Sequence, residues 1–301
     1  LTFEREKARK IVEDALICGG ALLTEVESKA LLAAYGIPVN PTEVAENADQ
    51  ALLLARKLGY PVAMKIHSRD ISHKSDAGGV QLNLRSEEDV QNAYREILTN
   101  AGSYDPKAKI LGVSIQPMVT QYDYEVILGS KRDPLFGPVI LFGMGGIMTE
   151  ILKDQAIALP PLNRLLARRL METTKVYRML KGYRNRPPAR LDLLEETLIR
   201  LSQLVSDFPE IVELDINPMI LGGDRILAVD GRVVIKPSKV LSPHHLVISP
   251  YPNQYEITAT TRGGGPLFVR PIKPEDAPLL LDLFDSLSEE TIYYRFFSPL
   301  K

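Results

Sequence analysis

The sequence predicts an α/β protein built from two α+β lobes, residues 38–118 and residues 119–240. In the first stretch, strand patterns such as PVAMKI, VQLNL and ILGVSIQPMV alternate with helical patterns. In the second, YEVILGS and GPVILFG predict strands and LDLLEETLIRLSQLVSDF predicts a strongly periodic helix. A chain of 301 residues also reaches the size at which a single hydrophobic core stops growing.

Two helices are predicted ahead of the lobes. Residues 3–17 have an amphipathic helical pattern that stops at a Gly-Gly pair. Thr24 and Glu27 have the spacing of a capping box, which predicts the start of a second helix. Together with the lobes, these helices complete a predicted domain over residues 1–240.

The last part of the chain differs in composition. Residues 241–267 are interrupted by proline and glycine, which predicts a linker. Residues 268–301 predict a strand and then a helix that begins near Pro274.

The overall composition argues against several classes of protein. A formal net charge of -2 gives no electrostatic reason to expect nucleic acid or an anionic membrane as a partner. The single cysteine, Cys18, cannot form an intrachain disulfide and fits a reducing compartment. No apolar run is long enough to span a bilayer, and LTFEREKARK is too charged for a secretory signal. We therefore expect a cytoplasmic protein, and Leu at residue 1 leads us to expect a longer polypeptide.

The stretch VELDINPMILGGDRILAVD, residues 212–230, predicts a two-stranded hairpin with oxygen ligands on one face. Glu213, Asp215 and Asn217 alternate with apolar residues, so a strand here turns their side chains the same way. Carboxylates and an amide oxygen without nearby Cys or His suit Mg²⁺ or Mn²⁺ rather than zinc. The alternative is an amphipathic hairpin whose polar face is merely solvated.

The turn of this hairpin decides which further acid joins the polar face. A two-residue Gly-Gly turn at residues 222–223 lets Leu221 pair with Asp224. In that register Asp230 lies opposite Asp215, on the acidic face.

Lys65 and the loop after it are candidates for phosphate contacts. Lys65 lies in the middle of PVAMKI, where a lysine can bind phosphate as a point charge or simply face solvent. The following HKSDAGGV carries His73 and Lys74 ahead of Gly78 and Gly79, whose backbone amides can approach phosphate oxygens. An ordinary surface histidine and a common double-glycine turn are the alternatives for this loop.

The segment between the lobes is a candidate for contacts with a nucleotide base. Residues 116–119, QPMV, can form an extended hinge that presents backbone groups to a base edge, and Glu125 follows in a strand. FGMGG, which contains Gly145 and Gly146, forms either a turn or a phosphate loop and matches neither G-x-G-x-x-G nor a Walker A loop. The order of lysine, hinge, glutamate and distal acid/amide pair indicates a nucleotide held between two lobes.

These segments resemble the ATP-grasp family, and within it the nucleotide-binding half of the NDP-forming acyl-CoA synthetases, relatives of succinyl-CoA synthetase β chains. The resemblance covers most of residues 1–237 and includes ESKALLAAYGIPV, KIHSRDISHKSDAGGV, QPMV, YEVILGSKRDPLFGPVILFGMGGIMTE and ELDINPM. It implies an ATP-grasp fold, in which two subdomains clasp ATP or ADP together with Mg²⁺.

The resemblance also implies roles for individual residues. Lys65 is expected to contact the nucleotide phosphates, and His73 to relay a phosphoryl group toward a distant acyl-phosphate site. Asn217 and Asp230 are expected to bind Mg²⁺, with Glu213 as a nearby acid. The residues expected to surround the rest of the nucleotide are Gly78, Gly79, Gln116, Met118, Val119, Glu125, Gly145 and Gly146.

The family reaction converts acyl-CoA, NDP and phosphate to carboxylate, CoA and NTP through a phosphohistidine in a separate CoA-ligase portion. No Rossmann-type CoA-binding motif is found in this sequence. The resemblance therefore implies a partner, namely CoA-binding and CoA-ligase domains upstream in the same polypeptide or on a separate subunit. The acid substrate, the choice between ADP and GDP, and the oligomeric state stay open.

Residues 268–301 resemble the opening strand and helix of GNAT acyltransferases, through LFVRPIKPEDAPLLLDLFDSLSEETIYYRFF. GNAT enzymes bind the CoA pyrophosphate with a later Q/R-x-x-G-x-G/A loop, so we expect a completed GNAT domain downstream. The order of segments resembles bacterial lysine acetyltransferases that carry an acyl-CoA-synthetase-like region ahead of a GNAT domain.

Two further functions stay open. The chain could be a regulatory region of a fused GNAT lysine acetyltransferase that senses nucleotide or acyl-CoA. It could also be a carboxylate–amine ligase of the same fold, although HKSDAGGV is not what such ligases need. His73 and the predicted metal pair favour retained phosphoryl transfer, as in an acetate-type synthetase.

Overall fold

The computed structural model describes residues 2–19, 21–71, 73–146, 154–249, 251–252 and 255–296. The chain divides into two compact units, residues 1–249 and residues 250–301. Both α-helices and β-sheets are present in the first unit, which confirms the predicted α/β class. Among the described residues, no helix is long and apolar enough to cross a membrane.

Two helices, α1 (Arg5–Ile17) and α2 (Glu25–Ala34), open the first unit as predicted. The predicted capping box fixes the start of α2. Thr24 Oγ1 accepts a hydrogen bond from the Glu27 amide, and the Glu27 carboxylate accepts one from the Thr24 amide. Both helices contribute buried side chains to the hydrophobic core of the second lobe.

The first lobe is a four-stranded antiparallel sheet with two helices. Its strands, in the spatial order β1-β4-β2-β3, are β1 (Glu43–Ala45), β2 (Val62–Ser68), β3 (Val80–Leu84) and β4 (Ile110–Pro117). Its helices are α3 (Ala48–Leu58) and α4 (Glu87–Tyr104). Alternate residues of β2, namely Val62, Met64 and Ile66, join the core beneath the helices. Ser86 and Asp89 form a capping box at the start of α4, as their spacing predicts.

The second lobe is a larger antiparallel sheet in the spatial order β10-β8-β5-β6-β7, with β9 beside β8. Its strands are β5 (Tyr124–Asp133), β6 (Gly137–Met144), β7 (Gln155–Ala158), β8 (Ile211–Gly222), β9 (Arg225–Ala228) and β10 (Gly231–Ile235). Its helices are α5 (Arg164–Glu172), α6 (Val176–Leu180) and α7 (Leu191–Asp207). Leu194, Leu198, Leu201 and Val205 recur at helical spacing on the buried face of α7, which packs against β5 and β6.

The turn of the acidic hairpin lies one residue later than predicted. Gly222 is the last residue of β8 and pairs with Arg225, so the turn consists of Gly223 and Asp224. Gly223 has a φ of 55°, which a two-residue hairpin turn of this kind requires and which glycine adopts without a steric penalty.

After β9 the chain pairs with β8 again through β10, and this changes the neighbour of Asp215. Arg232, rather than Asp230, lies opposite Asp215, so the predicted pairing of the two aspartates is wrong. The alternation along β8 is confirmed because Leu214 and Ile216 are fully buried between its oxygen-bearing residues.

The second unit is small and largely exposed. It contains an antiparallel strand pair, a 3-10 turn and two helices, namely β11 (Ile257–Thr260), β12 (Pro266–Val269), Pro274–Asp276, α8 (Ala277–Asp285) and α9 (Glu289–Phe296). A strand followed by a helix is what residues 268–301 predict, whereas β11 lies in the segment expected to be a linker. No residue of α8 is buried, and Leu279 and Leu281 are 64% and 65% exposed.

Candidate functional site

Lys65 lies on β2 with its side chain buried, and the residue is 5% exposed. The alternative of a solvent-facing lysine is therefore wrong. Nζ donates hydrogen bonds to Glu25 Oε1 and Asp230 Oδ2, both at 2.8 Å. Burial lowers the pKa of Lys65, but Asp230 and Glu25 outweigh it and raise the pKa above its ordinary value. An ammonium has three donors, and the described residues accept two of them from Lys65.

Glu25 is the first residue of α2, and its side chain is 1% exposed. Its carboxylate is surrounded by lysines: Oε1 contacts Lys65 at 2.8 Å and Lys29 at 3.0 Å, and Oε2 accepts from Lys74 at 2.9 Å. Burial raises the pKa of Glu25, but the three lysines outweigh this effect and hold the pKa far below its ordinary range. Glu25 is therefore held as a buried anion. We call these four side chains together with Asp230 the lysine cluster.

Lys29 connects the lysine cluster to the start of the hinge. Its Nζ donates to Thr42 Oγ1 at 2.7 Å and to Gln116 Oε1 at 2.5 Å, in addition to the contact with Glu25. Burial lowers the pKa of Lys29 to about 8, although Glu25 acts in the opposite direction. The carbonyl oxygen of the buried Gln116 side chain is thus directed toward Lys29 and Thr42.

His73, Asn217 and Asp230 line one cleft of about 320 Å³. The loop after β2 brings His73 and Lys74 to this cleft, whereas Asn217 comes from β8 and Asp230 lies between β9 and β10. His73 is exposed. The structure thus brings His73 beside two residues that follow it by about 140 positions or more, and all three were expected to act on phosphate or metal.

Asn217 and Asp230 supply an amide oxygen and a carboxylate, and Asp215 lines the same cleft. Among the described residues, no three His, Cys, Asp or Glu side chains are grouped in a way that could hold a metal ion. Mg²⁺ commonly takes only one or two carboxylates from the protein and completes its coordination with water and substrate phosphates. The oxygen-only donor set therefore fits Mg²⁺ bound together with a nucleotide.

Glu213 is directed to a different partner. Arg232 Nη1 forms an ion pair with Glu213 and also contacts Asp215 Oδ2 at 3.2 Å. The hydrogen bond from Arg232 lowers the pKa of Glu213, whereas burial and then the nearby Glu213 raise the pKa of Asp215. The carboxylate of Glu213 is therefore already neutralised, and its expected contribution to metal binding stays a prediction.

The hinge lines a second cleft, of about 620 Å³, to which both Met118 and Val119 contribute. The Met118 amide donates to the Pro61 carbonyl at 2.9 Å, and Asn40 Nδ2 donates to the Pro117 carbonyl at 2.9 Å. These bonds fix the hinge backbone.

Glu125, Gly146 and Asn217 are close neighbours. Glu125 Oε1 accepts a hydrogen bond from the Tyr122 hydroxyl at 2.6 Å, and this bond raises the pKa of Tyr122. A Cβ on Gly146 would lie 2.2 Å from Glu125 Oε2, and the Gly146 amide donates to Asn217 Oδ1 at 3.4 Å. Gly145 is equally restricted, because a Cβ there would lie 2.6 Å from the Val126 backbone. The rest of the loop, residues 147–153, lies outside the described residues.

Gly78 and Gly79 use their amides inside their own loop. The Gly78 amide donates to the Ser75 carbonyl at 3.0 Å and the Gly79 amide to the Lys74 carbonyl at 2.8 Å. A Cβ on Gly79 would lie 2.6 Å from Ile66 Cγ2, so glycine lets the loop pack closely on β2. Contact between these two glycines and nucleotide phosphates stays a prediction.

Sequence reasoning missed Glu25 and Lys29 as residues of the site. Glu25 follows the predicted N-cap Thr24, where acidic residues are common at any helix start, and so it carries no signal of its own. Lys29 lies one turn later on α2, and only the fold shows that it faces Glu25 and Gln116.

Two lobes that meet at a cleft lined by a loop histidine and an acid/amide pair, with a buried lysine beside them, have the arrangement of an ATP-grasp domain. A family model described as an ATP-grasp domain matches residues 14–235. The beta subunit of ADP-forming acetate–CoA ligase I from Pyrococcus furiosus is 41% identical over 229 residues, covering 76% of this chain and 98% of that protein. The chain belongs to the family of ATP-grasp domains found in ADP-forming acetate–CoA ligases.

Two further relatives belong to the same family, and this chain covers different fractions of their lengths. ADP-forming acetate–CoA ligase I from Archaeoglobus fulgidus is 43% identical over 235 residues, 78% of this chain and 34% of that protein. This chain thus spans about a third of the length of that relative. A solved structure of the dinucleotide-forming acetyl-coenzyme A synthetase 1 of Ca. Korarchaeum cryptofilum, in complex with coenzyme A and Ca-AMPCP, matches with a TM-score of 0.73 and 37% identity. The match covers 76% of this chain and 100% of that one.

Proposed function

We propose that the chain binds ATP or ADP with Mg²⁺ between its two lobes and exchanges a phosphoryl group with His73. In this role it is the nucleotide half of an NDP-forming acyl-CoA synthetase. The observation that carries the proposal is the cleft that His73 shares with Asn217 and Asp230. Lys65 supports it, because this buried ammonium contacts Asp230 and, within the part of the chain that the structure describes, has one donor left for a phosphate oxygen.

Each residue of the cleft has a separate role in the proposed phosphoryl transfer. Asn217 and Asp230 hold Mg²⁺, which when bound neutralises negative charge on the phosphate oxygens. Lys65 donates its third N–H to a phosphate oxygen and stabilises the charge that develops during transfer. A neutral imidazole nitrogen of His73 attacks the terminal phosphorus of ATP, an N–P bond forms, the bond to the bridging oxygen breaks, and ADP leaves. In the ATP-forming direction, ADP takes the phosphoryl group from His73.

The adenosine lies along the hinge in this proposal. Gln116, Met118 and Val119 border it from the hinge, and Glu125 borders it from the second lobe. The hinge cleft of about 620 Å³ supports this position. Gly78 and Gly79 keep the His73 loop close to β2, and Gly145 and Gly146 leave room beside Glu125.

The full reaction in this proposal consumes acyl-CoA, NDP and phosphate and yields carboxylate, CoA and NTP. It requires a partner that binds CoA and carries a second phosphohistidine, on the same polypeptide or on a separate subunit. Two relatives support this division. The Pyrococcus furiosus protein is a beta subunit, and a Ca. Korarchaeum cryptofilum structure at 34% identity and a TM-score of 0.66 contains Mg-AMPPCP with its phosphohistidine segment pointing towards the nucleotide binding site.

Calorimetric titration with ATP and with ADP, each with and without Mg²⁺, tests the proposal. We expect micromolar binding that depends on Mg²⁺ and that an Asn217→Ala/Asp230→Ala variant loses, because the metal then has no protein oxygen ligands from these positions. An Asp76→Ala variant is a matched control, since Asp76 lines the same cleft but has no proposed role with the metal. Failure of the unaltered chain to bind either nucleotide contradicts the proposal.

We infer a second candidate function, a regulatory region that senses nucleotide or acyl-CoA ahead of a GNAT-type domain starting near residue 268. The separate second unit favours it, because a strand and a helix with exposed apolar residues follow one another there. Incubation with γ-labelled ATP and Mg²⁺ separates the two functions. Phosphoryl transfer predicts an acid-labile label that a His73→Asn variant lacks, whereas nucleotide binding without any label on the unaltered chain favours sensing.

A further inference from the structure

The lysine cluster has an unusual distribution of charge. Three ammonium groups, from Lys29, Lys65 and Lys74, share two carboxylates, and the exposure of those carboxylates differs greatly. The side chain of Glu25 is 1% exposed, while that of Asp230 is 33% exposed and faces the cleft. One anion is thus enclosed by protein, and the other is accessible to a ligand.

The carboxylates of Glu25 and Asp230 both accept hydrogen bonds from the Lys65 ammonium. Lys65 Nζ lies 2.8 Å from an oxygen of Glu25 and 2.8 Å from an oxygen of Asp230. If Asp230 alone held Lys65, a metal ion that took Asp230 as a ligand would leave a buried ammonium without a counter-ion, which is strongly unfavourable. Because Glu25 also holds it, Lys65 keeps one charged partner whatever Asp230 binds.

Glu25 itself cannot serve as a metal ligand. Both of its oxygens already accept from ammonium groups, Oε1 from Lys65 and Lys29 and Oε2 from Lys74. Lys29 is fixed in turn by Thr42 and Gln116, so the enclosed anion is tied to α2, to β4 and to the His73 loop. Its position is therefore fixed by contacts that do not involve Asp230.

We infer that Glu25 is a positioning residue that keeps Lys65 and Lys74 beside the cleft. It does so while the Asp230 carboxylate exchanges its contact with Lys65 for a bond to the metal ion. This inference rests on the proposed function. Without the Glu25 charge, Asp230 is the remaining carboxylate for Lys65 and Lys74 among the described residues, and a metal ion must compete with two ammonium groups for it. Substitution of Glu25 should therefore weaken nucleotide binding in the presence of Mg²⁺ more than binding without Mg²⁺.

The test is the titration of ATP with and without Mg²⁺ on the Glu25→Gln variant of the full chain. The quantity measured is the ratio of the two affinities. We expect this ratio to fall about tenfold, the size of one lost charged hydrogen bond, while affinity without Mg²⁺ is maintained or increased. A role in folding alone lowers both affinities together or neither.

Glu27→Gln is the matched control. Glu27 lies in the same first turn of α2, but its carboxylate contacts Arg69 and the Thr24 amide rather than the lysine cluster. The Glu27→Gln variant should keep the ratio of the unaltered chain. An unchanged ratio in Glu25→Gln, or an equal loss in both variants, overturns the inference.

A second variant, Glu25→Asp, and an NMR titration of Lys29 complete the test. If Glu25→Gln does not fold, Glu25→Asp retains the charge but withdraws the carboxylate, and an unchanged ratio there also overturns the inference. The titration of Lys29 by NMR reports on Glu25 without nucleotide, and its pKa should fall in Glu25→Gln but not in Glu27→Gln. Failure of the proposed function is recognised separately, because the unaltered chain then shows no Mg²⁺-dependent binding at all.

Discussion

The environment of Lys65 is determined by residues that lie far from it in the sequence. Glu25 is 40 positions away and Asp230 is 165 positions away, and each accepts a hydrogen bond from the same ammonium. PVAMKI alone is equally compatible with an exposed lysine, since local periodicity assigns a face but not what covers it. The sequence therefore predicts Lys65 as a candidate, and only the fold shows that it is buried between two anions.

Gly146 offers a test of the geometry around Glu125. Gly146→Ala should lower the free energy of unfolding by about 1–2 kcal/mol, because a side chain is disfavoured at its φ of 75°. It should also weaken nucleotide binding, since the new Cβ displaces Glu125 Oε2. Urea denaturation and calorimetry measure the two effects. Gly102→Ala is the control, because a Cβ there would have no neighbouring atom within 4 Å and stability should not fall.

Lys29 gives the stability of the protein a specific pH dependence. The ordinary pKa of 10.5 applies to the unfolded chain, and burial lowers the pKa to about 8 in the folded protein. Between these values the unfolded state binds more protons, so this group makes stability rise with pH, by up to about 1.4 kcal/mol per pH unit. Urea denaturation between pH 8 and pH 10 should show a smaller rise for Lys29→Met. Equal slopes for the two proteins contradict this expectation, and Lys10→Met on the exposed side of α1 should match the unaltered chain.

At the scale of elements, the helix starts are predicted better than the strand register. Thr24 with Glu27 and Ser86 with Asp89 give the starts of α2 and α4 because a capping box acts within four residues. The register of β8 depends instead on which of two adjacent glycines adopts a positive φ. Gly222 is required for another reason, because a Cβ there would lie 2.8 Å from Tyr122 Cα, and the sequence does not distinguish this packing role from a turn role.

The capping box of α4 can be tested directly. Ser86→Ala should lower the free energy of unfolding by about 1 kcal/mol, because the Asp89 amide loses its side-chain acceptor. Ser103→Ala, near the other end of the same helix, should change stability by less than about 0.5 kcal/mol. Urea denaturation of the two variants makes the comparison, and similar losses in both count against a contribution from the cap.

At the scale of the whole molecule, nucleotide binding should affect one unit only. With Mg²⁺ and ATP at a hundredfold excess over Kd, the first unit should gain about 2.7 kcal/mol of stability. Hydrogen exchange should then slow in β2, β4 and β8 of the unaltered chain but not in its Asn217→Ala/Asp230→Ala variant. Amides of β11 and β12 should exchange at the same rate with and without nucleotide. Slower exchange there on addition of nucleotide favours the regulatory function.

The sequence predicts the architecture of the molecule and the main residues of its cleft, because periodic strands and helices and several ordered motifs extend over both lobes. It does not predict that α1 and α2 join the core of the second lobe, since their apolar faces suit any buried surface. Glu25 and Lys29 are missed for the same reason, because only the fold brings these residues of α2 into the lysine cluster beside the cleft.

The lysine cluster also spans the boundary between the two hydrophobic cores. Lys65 lies on a strand of the first core, whereas Glu25 begins a helix that packs into the second. Rotating one lobe away from the other would separate Lys65 from Glu25, so the ion pairs of the lysine cluster oppose an opening of the cleft. We therefore expect the two lobes to keep their relative orientation when nucleotide binds, so the radius of gyration of the first unit should be the same with and without nucleotide.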